Sequence, residues 1–547
     1  MSRWFDRGLP GDAEITVPYP VESEASGIHE VEPPSVVWYQ RDVDLPTDWQ
    51  DRVVLRFGAC DHYARVFVNG LEVGQHRGGY APFAMDVQHA LRAGTNRIVV
   101  RVADSLSWTQ PRGKQAGTTR WPIDYDSVTG IWQTVWLEPL PAVSIESTAI
   151  DYVVDAKQLT LTVCFSGQVE GDVGVVISRQ GKVVARGNAH SDLRSEVRLR
   201  FDIDEPELWS PDHPNLYELE ITLTDPLATK KDQVSSYLAL REVAVVDGEL
   251  QLNGQPLYLR GVLDQGYFPG GWYAPLTDDD IRRDVELTRA MGFNCARKHQ
   301  KAEDPRYLYW ADQLGLLVWA EMPSGKIFST ELIETLSREW LELVKRDRAH
   351  ACVIAWVPFN ESWGVWHQAE RLEQRAFVDA MVALTKALDG SRLVVGNDGW
   401  EYSSGDLWTL HLYDAQQDLA TRLAQLINQP DTSVTGQADA RPRVGALPGA
   451  EVAGLPILLT ECGGVGFGAY SDHDFSYGEQ PQTVAALEQN IRGTLASISA
   501  ATALQGFVWT QLTDIQQEIN GLLYFDRQPK LPLAMLHDLF SGVGPNV

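Results

Sequence analysis

The chain has 547 residues, of which 44% are hydrophobic and 10% aromatic, so it is globular and long enough for about three or four domains. Its 46 Lys and Arg residues stand against 74 Asp and Glu, and the net charge of -28 repels nucleic acid and anionic membranes but suits neutral or cationic small ligands. The start of the sequence lacks the apolar stretch of a signal peptide, and no later run approaches a membrane span, so a soluble, cytoplasmic protein is expected.

The cysteines are scattered, odd in number and mostly set in apolar, strand-like sequence. This pattern argues against a disulfide framework and indicates small buried hydrophobic side chains. No Cys-x-x-Cys or His-x-x-x-His pair indicates zinc, so we expect no metal and no cofactor. The five are Cys60, Cys164, Cys295, Cys352 and Cys462.

The first part of the chain alternates apolar and polar residues in short runs that are separated by turn residues. Such period-two alternation, with Asn69 and Gly70 at a hairpin turn, predicts an antiparallel β-sandwich. Pro139 and Pro141 mark its end, so the first domain is expected to span residues 1–141.

A second β-rich region follows over about 100 residues, the size of an immunoglobulin-like sandwich. Its charges, including Lys230 and Lys231, indicate a solvated face rather than a site. This domain is expected to span residues 142–245. Its strands are predicted in QLTLTVCF, DVGVVISRQGKVVARG, SEVRLRFDI and LYELEITLTD.

From about residue 246, short apolar strands alternate with longer helical patterns, which predicts a parallel sheet. The first helix has Thr277 three residues before Asp280, as in a capping box, and stops at Gly292. The connection after the fifth strand is too short for a full helix. The predicted strands lie at 257–266, 293–300, 316–324, 353–362, 392–399, 407–414, 456–464 and 504–512.

Eight strands over residues 246–547 favour a closed (β/α)₈ barrel over an open doubly wound sheet, and no GxGxxG phosphate loop follows any strand. The expected fold class is therefore a multidomain β and α/β protein, with two β-sandwiches followed by a C-terminal TIM barrel.

In such barrels the active site lies at the carboxyl ends of the strands, where two carboxylates stand out. Glu361 ends the fourth strand in VIAWVPFNESWG, and Glu461 ends the seventh in PILLTECGG. One of them alone could form a structural ion pair with Arg297, but hydrolysis of a glycosidic bond requires one acid and one carboxylate together. The other candidates, each of which could instead be structural, are Asp264, His299, Glu321, Asn360, Asp398, His411, Tyr413, Trp363, Trp400 and Trp509.

Several motifs occur together along nearly the whole chain: DHYARVFVNGLEVGQHRGGYAPF, YDSVTGIWQTVWLE, GFNCARKH, ADQLGLLVWAEMP, FNESWG, LLTECGG and WTQLTDIQQEINGLLYFDR. With them the sequence resembles glycoside hydrolase family 2 in a compact form, which implies a jelly-roll sugar-binding-like domain, an immunoglobulin-like domain and a catalytic barrel. The resemblance implies a retaining mechanism with Glu361 as acid/base and Glu461 as nucleophile. It also implies that Asn360 binds the sugar 2-hydroxyl, that Tyr413 steadies the nucleophile and that Arg297 is its positive neighbour.

The resemblance leaves the sugar open, because the family includes β-galactosidases, β-glucuronidases, β-mannosidases, glucosaminidases and arabinosidases. A retaining exo-β-glycosidase of β-galactosidase-like activity is the default expectation, and β-glucuronidase, β-galacturonidase and α-L-arabinosidase are the alternatives. The family's large β-galactosidases carry a Glu-x-His magnesium pair where this chain reads EMPSGKIF from Glu321, and a His after the nucleophile where it has Cys462.

The family's β-glucuronidases carry an Asn-x-Lys pair that clamps the uronate carboxylate. Asn520 has no Lys two residues on, although Lys298, Lys301 or Lys326 could substitute. Lys326 is the strongest of these candidates, with a solvated surface lysine as the alternative.

Two other classes of protein are weighed: a carbohydrate-binding protein without catalysis, and a metal-dependent hydrolase. The metal enzyme would need a third ligand beside His299 and His411, which lie on separate strands. Residues 428–454 lack periodicity and predict either a loop over the barrel mouth or a surface insertion. The expected partner is a small glycoside or oligosaccharide, with no nucleic acid and no membrane, and homo-oligomerisation is left open.

Overall fold

Three consecutive structural units make up the molecule. The computed structural model describes residues 4–11, 13–49, 52–117, 119–226, 231–414, 416–434, 442–468, 474–477 and 480–544. Among these residues, no helix combines the length and apolar character that crossing a membrane requires.

The first unit is an antiparallel β-sandwich whose sheets have the strand orders β1-β7-β4-β5 and β6-β2-β9, with a small β3-β8 pair. Asn69 and Gly70 both have positive φ, 51° and 86°, as the predicted two-residue hairpin between β4 and β5 requires. Its elements are α1 (Trp4–Arg7), β1 (Val36–Asp44), β2 (Arg52–Phe57), β3 (Cys60–Asp61), β4 (Tyr63–Val68), β5 (Leu71–Arg77), β6 (Phe83–Asp86), β7 (Thr95–Ala103), β8 (Gly130–Ile131) and β9 (Val135–Leu140).

The second unit is the immunoglobulin-like sandwich, with strand orders β10-β11-β14 and β13-β12-β15-β16. Alternate residues of β15, from Tyr217 to Leu223, are buried, so one face of its sheet packs on the core while the other meets solvent. Its strands are β10 (Ile145–Val153), β11 (Gln158–Val169), β12 (Asp172–Arg179), β13 (Lys182–His190), β14 (Arg194–Asp202), β15 (Tyr217–Thr224) and β16 (Asp232–Leu238).

A three-stranded sheet leads into the barrel, which contains all eight of the predicted strands. The elements are β17 (Val243–Val246), β18 (Glu249–Leu252), β19 (Gln255–Pro256), β20 (Leu259–Asp264), α2 (Asp278–Ala290), β21 (Cys295–Lys298), α3 (Pro305–Leu314), β22 (Leu317–Glu321), α4 (Thr330–Asp347), β23 (Val353–Val357), α5 (Leu372–Leu388), β24 (Leu393–Val394), β25 (Trp408–His411), α6 (Gln416–Asn428), β26 (Ile457–Gly463), α7 (Val484–Ala500), β27 (Leu504–Thr510) and α8 (Leu533–Ser541).

The barrel strands pair in parallel in the order β24-β23-β22-β21-β20-β27-β26-β25. The two outer strands of this order meet through the segment that follows β24, because Gly399 accepts a hydrogen bond from the His411 amide (3.1 Å) and donates one to Thr409 Oγ1 (3.2 Å). The predicted short connection after the fifth strand is confirmed, since no helix lies between β24 and β25, all of whose connecting residues are described.

The first predicted barrel helix is α2, where Thr277 and Asp280 form the predicted reciprocal capping box. Helix α5 begins only at Leu372, because residues 365–371 form hydrogen-bonded turns. The prediction missed α8, whose nine residues are too short to display a helical period.

A long loop ties the first sandwich to the barrel mouth. Residues 104–129, between β7 and β8, form what is called here the bridging loop. The carbonyl of Trp108 accepts hydrogen bonds from the amides of Lys326 (2.8 Å) and Ile327 (2.9 Å), both on the loop after β22. Lys114 reaches across the mouth to pair with Glu518 (3.0 Å), so the first unit supplies side chains to the barrel's carboxyl edge.

Candidate active site

Arg297, near the carboxyl end of β21, lies at the centre of the barrel mouth with its side chain fully buried. Its guanidinium group pairs with Glu321 (2.7 Å), Asp398 (2.8 Å) and Glu461 (2.8 Å), and donates to Asn360 Oδ1 (2.7 Å). One cation therefore holds residues from the ends of four other strand segments in a single cluster, as the planar fork of an arginine allows.

Glu361 and Glu461 face each other across this cluster with His411 between them. A carboxylate oxygen of each glutamate and a ring nitrogen of His411 all lie within 4.8 Å of one another. His411 Nδ1 is 2.9 Å from Glu361 and 3.5 Å from Glu461. The carboxylate spacing fits the ~5–5.5 Å of retaining glycosidases and is shorter than the ~6.5–9.5 Å that an inverting enzyme needs for its water.

The backbone at Glu361 is held in an uncommon conformation. Glu361 and Ser362 have φ values of 53° and 57°, in the left-handed region, which costs about 1–3 kcal/mol for each such residue. The Glu361 amide donates to the carbonyl of Asp398 (2.9 Å), and the Ser362 amide donates to Asn397 Oδ1 (2.8 Å). These bonds hold the turn that aims the carboxylate into the mouth.

The two glutamates have opposite pKa shifts. Burial opposes ionisation of Glu461, but His411 and then Arg297 outweigh it and lower its pKa to about 2. Burial, and next the charge of Glu461, raise the pKa of Glu361 above its usual value, against the lowering effect of His411. Burial also disfavours a charged His411, yet Glu461 and Asp398 raise the pKa of its imidazole to about 10. The pKa of one carboxyl is thus raised beside another whose pKa is lowered.

Charge balance explains why the pKa of Glu361 is raised. Arg297 and His411 carry two positive charges, and Asp398 and Glu461, whose pKa values are both lowered, carry two negative ones, while burial raises the pKa of Glu321. An ionised Glu361 would leave the buried cluster with a net negative charge, which a site of low polarity disfavours.

Tyrosines surround the other side of Glu461. Tyr413 donates a hydrogen bond to Glu461 Oε2 (2.7 Å) and lies 2.9 Å from Thr510 Oγ1 at the end of β27. The ring of Tyr477 stacks on that of Tyr413 with 3.6 Å between centroids. Burial first, and then the charges of Glu518, Glu461 and Glu361, raise the pKa of Tyr477, so its hydroxyl stays protonated.

Three family models match consecutive parts of the chain. Residues 2–141 match the sugar binding domain of glycosyl hydrolases family 2, residues 141–241 match a further model of that family, and residues 243–435 match its TIM barrel domain. The chain belongs to glycosyl hydrolase family 2.

Relatives in this family include β-glucuronidase from Felis catus, 30% identical over 411 residues, and β-galactosidase from Thermoanaerobacter pseudethanolicus, 28% identical over 380 residues. The alignments cover 68% and 65% of this chain, but only 60% and 48% of those relatives. The chain thus spans about half to three fifths of the length of the curated relatives it matches.

Solved family 2 structures share the fold over almost the whole chain. A β-glucuronidase from Ruminococcus gnavus has a TM-score of 0.80 at 20% identity, covering 98% of this chain and 94% of that one. A β-galacturonidase from Eisenbergiella tayi has a TM-score of 0.78 at 19% identity, covering 99% and 95%. At such identities the likeness concerns the fold alone.

Most of the family 2 candidates predicted from the sequence lie in the cluster, and His299 and Glu321 belong to its edge. His299 Nδ1 is 3.1 Å from Glu321, and burial, followed by the charge of Arg297, lowers the pKa of His299 well below its usual value. Burial raises the pKa of Glu321 to about 7, against the lowering effect of Arg297. Arg297 donates to Oδ1 of Asn360, so the amide nitrogen of Asn360 takes no part in this hydrogen bond.

Three predicted residues, Asp264, Lys298 and Trp509, lie outside the cluster because strand residues alternate between the two faces of a sheet. Since Arg297 faces the barrel axis, the next residue, Lys298, faces the helices, where it pairs with Asp264 (2.7 Å). Since Thr510 reaches Tyr413, the preceding Trp509 also faces outward, and its ring contacts Phe540 of α8 (5.4 Å).

The other predicted tryptophans and Lys326 lie beside the turn that carries Glu361. Trp400 lies 6.0 Å from His411, edge to face. Trp363 is 3% exposed and packs edge to face on Trp121 of the bridging loop (6.2 Å). The alternative of a solvated Lys326 is wrong, because this residue is only 4% exposed and forms an ion pair with Asp124.

In its described parts, 428–434 and 442–454, the segment 428–454 packs beside the turn that carries Glu361. The Glu401 amide donates to the carbonyl of Val444 (2.6 Å), and Arg443 Nη1 donates to the carbonyl of Trp366 (2.8 Å). Arg443 also pairs with Glu401, which accepts a hydrogen bond from Ser362 Oγ (2.6 Å). This contact with the residue after Glu361 favours the prediction of a loop at the barrel mouth.

Sequence reasoning missed Lys114, Tyr477, Thr510 and Glu518. One signal was available, because the bridging loop that carries Lys114 is a long aperiodic connection inside a small β-sandwich. Thr510 is the last residue of β27, and Tyr477 and Glu518 lie in the segments that follow β26 and β27, where no local pattern marks them.

Two groups of side chains have the geometry to hold a metal ion among the described residues. Glu361, His411 and Glu461 form the first, but an imidazole whose pKa is raised to about 10 keeps the proton that a metal would have to displace. In the second, Asp312 accepts from the Cys352 amide (2.7 Å) and lies 2.6 Å from His350. Burial raises the pKa of the Cys352 thiol, so neither set favours a metal over the hydrogen bonds already formed.

We predict that Arg297→Gln destabilises the protein by about 3–5 kcal/mol at neutral pH, because it leaves buried carboxylates without their cation. The deficit should shrink on acidification, as those carboxylates take up protons. Chemical unfolding at about pH 7 and 5 measures this, with Arg282→Gln, an exposed partner of Glu286 on α2, as the control. A deficit that is equal for both variants, or that grows on acidification, would contradict the prediction.

Proposed function

We propose that this protein is a retaining exo-β-glycosidase that removes terminal non-reducing sugars from glycosides or oligosaccharides. The observation that carries the proposal is the pair Glu361 and Glu461, whose oxygens lie within 4.8 Å and whose pKa values are shifted in opposite directions. The bridging loop supports the exo mode, because its contact with the mouth through Lys114 and Glu518 restricts the room for a long chain.

In the first step an oxygen of Glu461 attacks the anomeric carbon while the bond from that carbon to the leaving oxygen breaks. Glu361 gives its proton to the leaving oxygen, which departs as an alcohol. Tyr413 and Arg297 hold the attacking carboxylate by hydrogen bonds of 2.7 and 2.8 Å, so little reorganisation is needed as the reaction proceeds.

In the second step Glu361, now ionised, takes a proton from water as the water oxygen attacks the anomeric carbon and the bond to Glu461 breaks. Two inversions at one carbon give net retention. We expect the amide nitrogen of Asn360, which the bond from Arg297 does not use, to donate to the sugar 2-hydroxyl, a contact that strengthens in the transition state.

We predict distinct behaviour for alanine variants of the two glutamates on a β-glycoside with a dinitrophenolate leaving group. Glu361→Ala should still form the glycosyl-enzyme but turn over about 10²–10⁴-fold more slowly, because no base activates water. Azide, which needs no base, should restore turnover and give the β-glycosyl azide. Glu461→Ala should give the α-azide, since azide then attacks the substrate directly.

The control for both is Glu342→Ala, which removes an exposed glutamate of α4. Undiminished activity of Glu361→Ala, or one azide anomer from both variants, would overturn the assignment. A well-folded wild-type protein that hydrolyses no β-D or α-L glycoside would instead indicate a carbohydrate-binding protein.

The charges around the mouth support a neutral sugar, with β-galactoside as the default substrate. A uronate carboxylate needs a cation that is not already paired, yet each of the candidate lysines already has a carboxylate partner. These pairs are Lys114 with Glu518, Lys326 with Asp124, Lys298 with Asp264, and Lys301 with Glu303. The buried amide of Asn520 has no hydrogen-bond partner on either atom and suits a hydroxyl.

A panel of 4-nitrophenyl glycosides tests the sugar: β-D-galactoside, β-D-glucoside, β-D-glucuronide, β-D-galacturonide and α-L-arabinoside. We expect a neutral hexoside to exceed both uronides in kcat/KM by about 10-fold or more, because a uronate would meet Glu518 beside Lys114. Glu518→Gln should raise the relative kcat/KM for uronides by freeing the Lys114 charge. A wild-type preference for a uronide would make β-glucuronidase or β-galacturonidase the activity.

A further inference from the structure

Four tryptophans from two domains pack together beside the turn that carries Glu361. The tryptophan cluster consists of Trp108 and Trp121 on the bridging loop, and Trp363 and Trp366 on the loop after β23. Trp121 lies at its centre, stacked on Trp108 (6.1 Å between centroids), edge to face with Trp363 (6.2 Å) and tilted against Trp366 (5.9 Å). Trp363 is buried, whereas the other three are partly exposed.

Lys326 fixes the cluster from within. Its ammonium nitrogen lies 3.9 Å from the ring centroid of Trp121, 4.2 Å from that of Trp108 and 4.9 Å from that of Trp363, and it also pairs with Asp124. A desolvated ammonium over indole faces gains cation–π energy, so the rings are held in place before any ligand arrives.

The cluster adjoins the catalytic acid through the chain and through side chains. Trp363 follows Glu361 by two residues, and its amide donates to the carbonyl of Asn360 (2.8 Å). Trp366 is tied to the same turn through Arg443, which lies over its ring (5.3 Å from Cζ to centroid) and pairs with Glu401. Since the acid/base acts on the leaving oxygen, residues beside it lie on the leaving-group side.

Two of the four indole N–H groups and the lysine are already used within the protein. Trp108 Nε1 donates to Thr119 Oγ1 (3.3 Å), Trp366 Nε1 donates to the carbonyl of Lys326 (2.7 Å), and Lys326 pairs with Asp124. The cluster therefore offers mainly ring surface, with fewer donors and acceptors than reading a second sugar requires. The neighbouring Ile327, with 50% of its surface exposed, extends the apolar character.

We propose that Trp121 and Trp366 form the leaving-group subsite and select glycosides of aromatic alcohols over disaccharides. The proposal rests on the proposed glycosidase function. The aromatic ring of the leaving group stacks on the partly exposed indoles, and Lys326, itself paired with Asp124, holds Trp121 in place behind that surface.

The test compares kcat/KM for three substrates of one sugar: the 4-nitrophenyl glycoside, a disaccharide and the glycosyl fluoride. The fluoride has the same sugar and chemistry but no ring to stack. For Trp121→Ala and Trp366→Ala we expect kcat/KM for the aryl glycoside to fall about 10-fold or more, with the fluoride changed less than about 2-fold. Trp121→Phe should recover most of the loss, because it retains a ring.

Trp136→Ala, which removes a 41% exposed tryptophan of β9, is the matched control and should leave all three substrates unchanged. An equal loss on all three substrates in both cluster variants, or no loss on the aryl glycoside, would overturn the subsite. If one variant does not fold, the other still decides between these outcomes. Absence of wild-type turnover of the fluoride itself would contradict the glycosidase function rather than the subsite.

Discussion

The barrel mouth is organised by one buried cation, Arg297, and by the charge balance that it imposes. Its guanidinium group holds Glu321, Asp398 and Glu461 within 2.8 Å, which places carboxylates from different strands where burial alone would drive them apart or protonate them. With His411 as the second cation, the cluster has positive charge for two ionised carboxylates, Asp398 and Glu461, and the pKa values of the other two, Glu321 and Glu361, are raised. The opposite pKa shifts of Glu361 and Glu461 thus follow from the number of cations, before any substrate binds.

The active-site wall is shared between domains. The first sandwich is small, but its bridging loop carries Lys114, Trp121 and Asp124 to the barrel, where they meet Glu518, Trp363 and Lys326. Buried ion pairs contribute little net stability compared with apolar packing, but breaking one is costly, so such pairs fix geometry more than they strengthen the fold. Here they hold the loop against the mouth, so the first domain contributes side chains to the wall around the barrel's carboxyl edge.

The sequence was informative where local patterns carry physical meaning. Eight apolar runs with helical spacers predicted the barrel, and a carboxylate at the end of two such runs singled out Glu361 and Glu461. It failed where the question was which way a side chain points: the one-residue alternation of a strand turns Trp509 and Lys298 away from the axis, with Asp264 alongside Lys298. It also failed for Lys114, Glu518 and Tyr477, because their proximity depends on contacts between segments hundreds of residues apart or on loops without a repeating pattern.

The central claim is that Glu461 attacks the anomeric carbon directly and that Glu361 acts on both sides of the covalent intermediate. The stereochemistry of the first-formed product tests it, because the anomers of a released sugar can be distinguished by proton NMR before they equilibrate. Hydrolysis of a β-glycoside should release the β-anomer first, since two displacements retain the configuration. Initial release of the α-anomer would mean a single displacement by water, and would contradict the roles assigned to both glutamates despite their spacing within 4.8 Å.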